Sequence, residues 1–265
     1  MFRYNFFSFF FFFWTISLHC QKIDSSYMEC KYLVTFLIDT SNVNTLKQEY
    51  ASLLIGKNAT IFRSNQKAIA DSISLAYIRK TMNSAGSNMP EINTGLLPSA
   101  KYQPEVLNRN GQITLYNAIL EDLYSYPLNK NINWRIEKER KKIQGYTCTK
   151  VTCEYGNKSI IAWYTDEIPI PEGPYTFKGL PGLVLEAYDS KKYFHFILVG
   201  LVNVKKPIAL PKVSIPTTYE KFYNKRKQLM DDPLGAFMNT FGRRAPKDNE
   251  ERIIRNIKSI NNFLD

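Results

Sequence analysis

The sequence predicts a mainly β fold with some helix. The expected architecture is a curved antiparallel sheet, an open or half-barrel meander, with one helix inserted after the first strands and two C-terminal helices. Three observations predict it. Short runs rich in β-branched and aromatic residues follow one another from residue 112 to residue 202, divided by short polar turns. Apolar residues recur near helical spacing between Gln66 and Met82 and again beyond Thr218. The composition of the 265 residues, 44% hydrophobic and 22% charged, is that of a globular chain and excludes collagen-like, wholly disordered and polytopic membrane classes.

The first twenty residues stand apart. Met1-Phe2-Arg3 gives a basic start, and an apolar run follows from Phe6 to Leu18. A membrane-spanning helix takes about twenty residues, so this shorter run reads as the core of a secretory signal peptide over residues 1–20, cut near Cys20 and Gln21. An uncleaved anchor is one alternative, and lipid modification of Cys20 is the other. The bulky His19 fits it poorly, since a small residue is wanted there.

The elements then follow in order. Met28 to Ile38 reads as a strand, and Ala51 to Ile55 and Ile61 to Ser64 flank the hairpin turn Gly56-Lys57-Asn58. Gln66 to Met82 reads as the inserted helix, and Asn83 to Pro98 as a loop. Strands are expected over Gln112–Ile119, Asp122–Tyr126, Asn133–Glu139, Gln144–Glu154, Ser159–Thr165, Leu183–Tyr188 and Tyr193–Val202. The basic knot Lys138–Lys142 falls in a turn. Residues 21–204 thus form the sheet domain, and residues 205–265 a linker with Pro207, Pro211 and Pro216 followed by helices over Thr218–Met230 and Asn249–Phe263. No internal repeat is visible.

Net charge is +11, and residues 205–265 carry 13 Lys+Arg against 7 Asp+Glu. Solvated helix faces account for such a surplus, as does peripheral contact with an anionic membrane through the C-terminal segment. Nucleic acid is not an expected partner, because no nucleic-acid-binding motif is present.

Three cysteines remain after cleavage: Cys30, Cys148 and Cys153. An exported chain can form one disulfide and keep one thiol. Cys148 and Cys153 lie five steps apart in one strand, about 16 Å and on opposite faces. A bridge needs Cα atoms about 4.4–6.8 Å apart, so Cys30 is expected to pair with one of the two. Their spacing does not suggest a zinc site.

Catalytic vocabulary is sparse. His195 is the sole histidine beyond the leader, and in an alternating strand it shares a face with Tyr193 and Ile197. No G-x-S-x-G, H-E-x-x-H, G-x-x-x-x-G-K-[ST] or G-x-G-x-x-G motif occurs. No metal or cofactor is expected. Carboxylate chemistry would need Glu167 to approach Glu186 or Asp189, since the adjacent Asp166 and Glu167 point to opposite faces of an extended chain.

The segment from Asp166 to Glu186 is unusual, with four prolines and three glycines but low polarity. Proline removes donors and glycine permits backbone geometry barred to other residues, so it is neither an interior strand nor a helix. Ile168, Ile170, Phe177, Leu180 and Leu183 suggest a loop folded back over the sheet, a rigid cover or the rim of a groove.

At this segment the sequence resembles the GLPGLI family of exported Bacteroidetes-type proteins. The resemblance is carried by Trp134-Arg135-Ile136, Ile143–Lys150, Ala162–Pro169, Gly173-Pro174 and the motif Gly179-Leu180-Pro181-Gly182-Leu183-Val184. It is strong over residues 110–202 and loose over 27–82. Val184 stands where isoleucine is usual, and the turn Glu154–Lys158 lacks the family's Gly-Arg pair. The resemblance implies the periplasm or surface of a Gram-negative envelope and transfers no catalytic residues, because the family has no established activity.

The functional expectation is an exported, non-enzymatic protein that binds a hydrophobic ligand, a lipid or an outer-membrane protein partner. Trp134, Trp163, Tyr164 and Phe177 are the candidate ligand-contacting residues on a concave, aromatic sheet face. Trp163 and Tyr164 alternate, so at most one faces a given side. The alternative is a carboxylate-based hydrolase acting on envelope glycan or lipid through Glu167 and Glu186, with His195 beside them.

Overall fold

A computed structural model describes residues 24–83, 97–128, 132–209 and 213–264. The expected signal peptide, Cys20 and most of the loop Asn83–Pro98 lie outside the described residues. In chain order the elements are β1 (Ser26–Leu37), β2 (Leu46–Gly56), β3 (Ala59–Ser64), α1 (Asn65–Asn83), β4 (Glu105–Arg109), β5 (Gln112–Ile119) and β6 (Asp122–Leu128). Then follow β7 (Arg135–Ile143), β8 (Tyr146–Tyr155), β9 (Lys158–Thr165), β10 (Leu183–Asp189), β11 (Phe194–Asn203), the two-residue β12 (Ile215–Pro216), α2 (Tyr219–Asp231), α3 (Pro233–Phe241) and α4 (Glu250–Lys258).

The strands form one open twelve-stranded sheet in the order β12-β6-β5-β4-β3-β2-β1-β11-β10-β9-β8-β7. Two meanders, β1 to β6 and β7 to β11, join where β1 pairs β11 antiparallel, Thr35 opposite His195. Among the described strands only the short β12 runs parallel, beside β6. Tight turns fix the hairpins: Asn110-Gly111 and Gln144-Gly145 have φ of 51° and 84°, and 50° and 87°, the left-handed pairs that suit two-residue connections.

The sheet curls around an aromatic core. Phe62 on β3 and Phe196 on β11 are three strand spacings apart, about 14 Å in a flat sheet, yet their ring centroids are 6.0 Å apart. Phe196 touches Phe177, which touches Tyr155 on β8. One contiguous core therefore covers the inner face, and it includes Phe222, Leu229, Ile257 and Leu264 of the C-terminal segment. On the outer face α1 is tied to β3 and β4 by Lys67 to Glu105 at 2.5 Å, with Arg63 at 3.9 Å from the same carboxylate.

Four sequence-based expectations are corrected. The basic knot is not a turn: Lys138–Lys142 continues β7, which is an edge strand whose outer side meets water and so accepts charge. β4 went unforeseen, although Asn110-Gly111 marks its hairpin with β5. The C-terminal segment holds three helices rather than two. Asp232 ends α2 and caps α3 by accepting the Gly235 N–H at 2.9 Å, with Pro233 in the first turn of α3.

The expected disulfide is absent as well. Cys30, Cys148 and Cys153 are buried free thiols. Cys30 is on β1 and the others on β8, with β11, β10 and β9 between them, about 19 Å along the sheet against a disulfide's 4.4–6.8 Å. Burial pushes the Cys30 and Cys153 thiols up to about 12 and that of Cys148 up to about 11.

Candidate functional site

A cavity of about 500 Å³ lies between one end of the inner sheet face and the C-terminal helices. Its sheet side is Phe36 and Leu37 at the end of β1, Ile119 and Leu120 at the β5–β6 turn, and Phe194 at the start of β11. Phe222, Leu229 and Met230 of α2, Ile257 of α4, and Phe263 and Leu264 close the other side. The helical side is held by short polar links. Thr218 caps α2, accepting the Lys221 N–H at 3.3 Å. Asn262 donates to the Leu37 carbonyl at 2.7 Å, accepts from Lys158 at 3.0 Å, and follows Asn261, whose N–H reaches Ile38 O at 3.2 Å.

Charge in the lining is one-sided. Among the described residues its charged members are Lys101 and Arg226, with no carboxylate. Arg226 is only 9% exposed, and its guanidinium carbon sits 4.0 Å from the Phe263 ring centroid and 5.4 Å from that of Phe222. A smaller hollow of about 290 Å³ adjoins, sharing Ile119, Leu120 and Leu229 and carrying Asp122, Asp231 and Asp232.

The Pro/Gly segment packs against the inner face beside this cavity. Backbone bonds pin it at both ends: Leu183 N–H to Ile168 O at 3.0 Å, and Val184 N–H to Glu172 O at 3.0 Å. The Glu172–Lys178 ion pair, 2.7 Å long with both side chains about nine-tenths buried, locks its middle, and Asn108 donates to Glu172 at 3.1 Å. Gly182 is required by contact, because a Cβ there would lie 2.6 Å from the Thr165 carbonyl carbon. Gly179 is required by its backbone, at φ +86°. Tyr175 also takes a positive φ, 53°, which is strained for a bulky side chain. It is buried between Phe177 and Phe196 and lines the cavity.

The four aromatics singled out from the sequence do not line the cavity. Phe177 is fully buried in the aromatic core, and Trp134 rests edge-on to it while donating Nε1–H to Lys178 O at 3.0 Å. Trp163 and Tyr164 are buried on opposite faces of β9. Pro174, Leu180, Pro181 and Leu183, with Gly173, belong to the packed segment. What sequence reasoning missed is the set that makes the cavity: Tyr175, Phe222, Arg226 and Phe263. They come from distant parts of the chain, and no local pattern marks them.

A second cluster sits on the outer face. Glu186 pairs in register with Trp163 and lies diagonal to His195, which faces Tyr188. Its carboxylate meets His195 Nε2 at 2.7 Å and Lys141 Nζ, and Lys141 lies 4.2 Å over the Trp163 ring. Burial raises the Glu186 pKa, but hydrogen bonds from His195 and Lys141 outweigh it and hold the carboxyl below its ordinary value. Glu167 is exposed and accepts the Thr147 N–H at 2.7 Å. The sequence thus identified one acid and the histidine that do meet, while the second acid is held by a backbone amide. Among the described residues no group of three or more His, Cys, Asp or Glu is placed to hold a metal ion.

A family model described as "Protein of unknown function (Porph_ging)" matches residues 154–186, the stretch from the end of β8 through the Pro/Gly segment into β10. No curated protein matches the sequence. Among solved structures, two titled "Structure of PNGF-II", in the P21 and C2 space groups, are similar at TM-score 0.48 and 12% and 13% identity. The alignment covers 76% of this chain and 32% of theirs, so the chain spans about a third of the length of those proteins.

Proposed function

We propose that this chain is a non-enzymatic binding protein that holds one apolar small molecule or lipid chain in the cavity between its curled sheet and its C-terminal helices. The observation that carries the reading is the cavity itself. Its 500 Å³ falls within the range of small-molecule sites, about 300–1,000 Å³, and its walls are aliphatic and aromatic with few polar groups. We place it among GLPGLI-type exported proteins, working in the periplasm or at the surface of a Gram-negative envelope after removal of residues 1–20. The basic C-terminal helices, which roof the cavity, would meet an anionic membrane or an outer-membrane partner protein there.

The test is native mass spectrometry of protein purified gently from its own envelope, together with titration by the apolar fluorophore N-phenyl-1-naphthylamine. A reproducible added mass lost on denaturation, and saturable uptake of the dye that Leu229→Trp blocks by filling the cavity, is the expected result. A bare mass with no saturable uptake overturns the reading.

A further inference from the structure

We infer that α3 is an interfacial anchor that lays its apolar face into an anionic lipid surface; the inference rests on the membrane contact proposed above for the C-terminal helices. Leu234, Phe237, Met238 and Phe241 stand at i, i+3, i+4 and i+7 and so share one face of the helix. On a surface helix such a face ordinarily turns to the core. Here the other face does so: Gly235, Ala236, Asn239 and Thr240 line the small hollow against α2 and the β5–β6 turn. Met238 is 46% exposed, and Leu234, Phe237 and Phe241 are half-buried. None of the four is among the residues of the buried core or those packed on it. Phe237 and Phe241 lean on each other, with ring centroids 4.5 Å apart.

Charge points to the partner. α3 ends at Gly242, and Arg243, Arg244 and Lys247 follow at once, all exposed. Among the described residues none of the three is in an ion pair. Asp248 is the one acid beside them before Glu250 and Glu251, which complement the N-terminus of α4. Asp231 and Asp232 stand at the far end of α3, about 13 Å away, where Asp232 is held by the Gly235 N–H. A Leu/Phe/Met face beside arginines suits the headgroup layer, with rings among acyl chains and guanidinium groups on phosphate. Four partly covered side chains supply only a fraction of the about 800 Å² per partner that a stable protein interface buries. An anionic bilayer adds the attraction of the whole chain's +11 charge.

The test is co-sedimentation of the protein, as purified from its own envelope, with vesicles of equal parts phosphatidylglycerol and phosphatidylethanolamine. Phosphatidylcholine vesicles are the neutral control. Partitioning onto the anionic vesicles should be higher by about tenfold or more, and added salt should weaken it without abolishing it. Met238→Asp sets a carboxylate in the apolar layer from an exposed position and should lower partitioning about tenfold. Arg243→Gln/Arg244→Gln should lower it similarly, and Lys221→Gln/Lys227→Gln on α2 by clearly less. Equal losses from the two charge pairs, with no effect of Met238→Asp, overturn α3 as the anchor and leave a diffuse basic contact of the C-terminal helices. Equal binding to both kinds of vesicle overturns the anionic preference and the inference with it. Absence of binding to either overturns the membrane contact and the anchor together, and leaves the cavity's binding role untouched.

Discussion

Gly182→Ala is the sharpest perturbation of the Pro/Gly segment. The added methyl would sit 2.6 Å from the carbonyl carbon of Thr165 and nearer still to its oxygen, where carbon contacts below 3.0 Å essentially never occur. The obstacle is backbone, so no side chain can rotate aside. The end of β9 must move away from β10, where Leu183 faces Thr165. Overpacking costs about 1–3 kcal/mol and a lost backbone hydrogen bond about 1 kcal/mol, so a loss of about 2–4 kcal/mol is expected. Gly179→Ala meets no atom within 4 Å but must hold φ +86°, which costs an L-residue about 1–2 kcal/mol. Gly200→Ala on β11 meets no atom either, and its φ lies outside the positive range that strains a side chain, so it should change stability by less than about 1 kcal/mol. Urea unfolding of the three variants, with midpoints compared at a common slope, gives the ranking. If Gly182→Ala falls within about 0.5 kcal/mol of Gly200→Ala, the close approach of β9 to the segment is wrong.

Other outcomes follow from the buried charges and thiols. Lys178→Met leaves Glu172 buried without its cation and should cost about 3–5 kcal/mol, most of it restored by the double variant Glu172→Gln/Lys178→Met; an equally unstable double variant would refute a pairing role. Because the Glu186 carboxyl is held below its ordinary 4.5, its contribution is fully present above that pH and is lost as pH falls through the lower folded value. The melting-temperature gap between wild type and Glu186→Gln should therefore close on acidification from pH 6 to below 4, and a constant gap contradicts the ion-pair assignment. Alkylation without reductant should leave Cys30, Cys148 and Cys153 unlabelled in the native protein and label all three in urea, read by peptide mass mapping; a pair still protected in urea would reveal a disulfide.

Much of the sheet was legible because hairpins announce themselves locally. Gly56-Lys57-Asn58 and the turn at Glu154–Lys158 both join the strands expected on either side. β4 escaped notice because its five residues carry little alternation, although Asn110-Gly111 is a strong hairpin signal. α3 escaped for a related reason: its start is written in Asp232-Pro233 and its end in Gly242, at φ +66°, rather than in apolar spacing. The Glu186–His195 contact follows from hairpin register and could have been counted out from the turn between β10 and β11. The cavity had no such signal. Tyr175 reaches it through a positive φ, and Phe222, Arg226 and Phe263 reach it because Asn261 and Asn262 bind the end of β1, more than 220 residues earlier. The aromatic-rich sheet and its Pro/Gly cover drew attention to Trp134, Trp163, Tyr164 and Phe177, which stand outside that cavity.

The open sheet has two exposed margins, and each is finished differently. At one, β12 adds just two residues, ending in Pro216, so a further chain finds little ladder to join. At the other, β7 presents Arg135, Lys138, Arg140 and Lys142, interrupted by a bulge between Ile136 and Arg140. A second molecule aligning its own β7 there would set like charges face to face across an irregular backbone. In a crowded compartment, where a curled sheet of this breadth would otherwise seed fibres, that margin keeps neighbouring copies from knitting together.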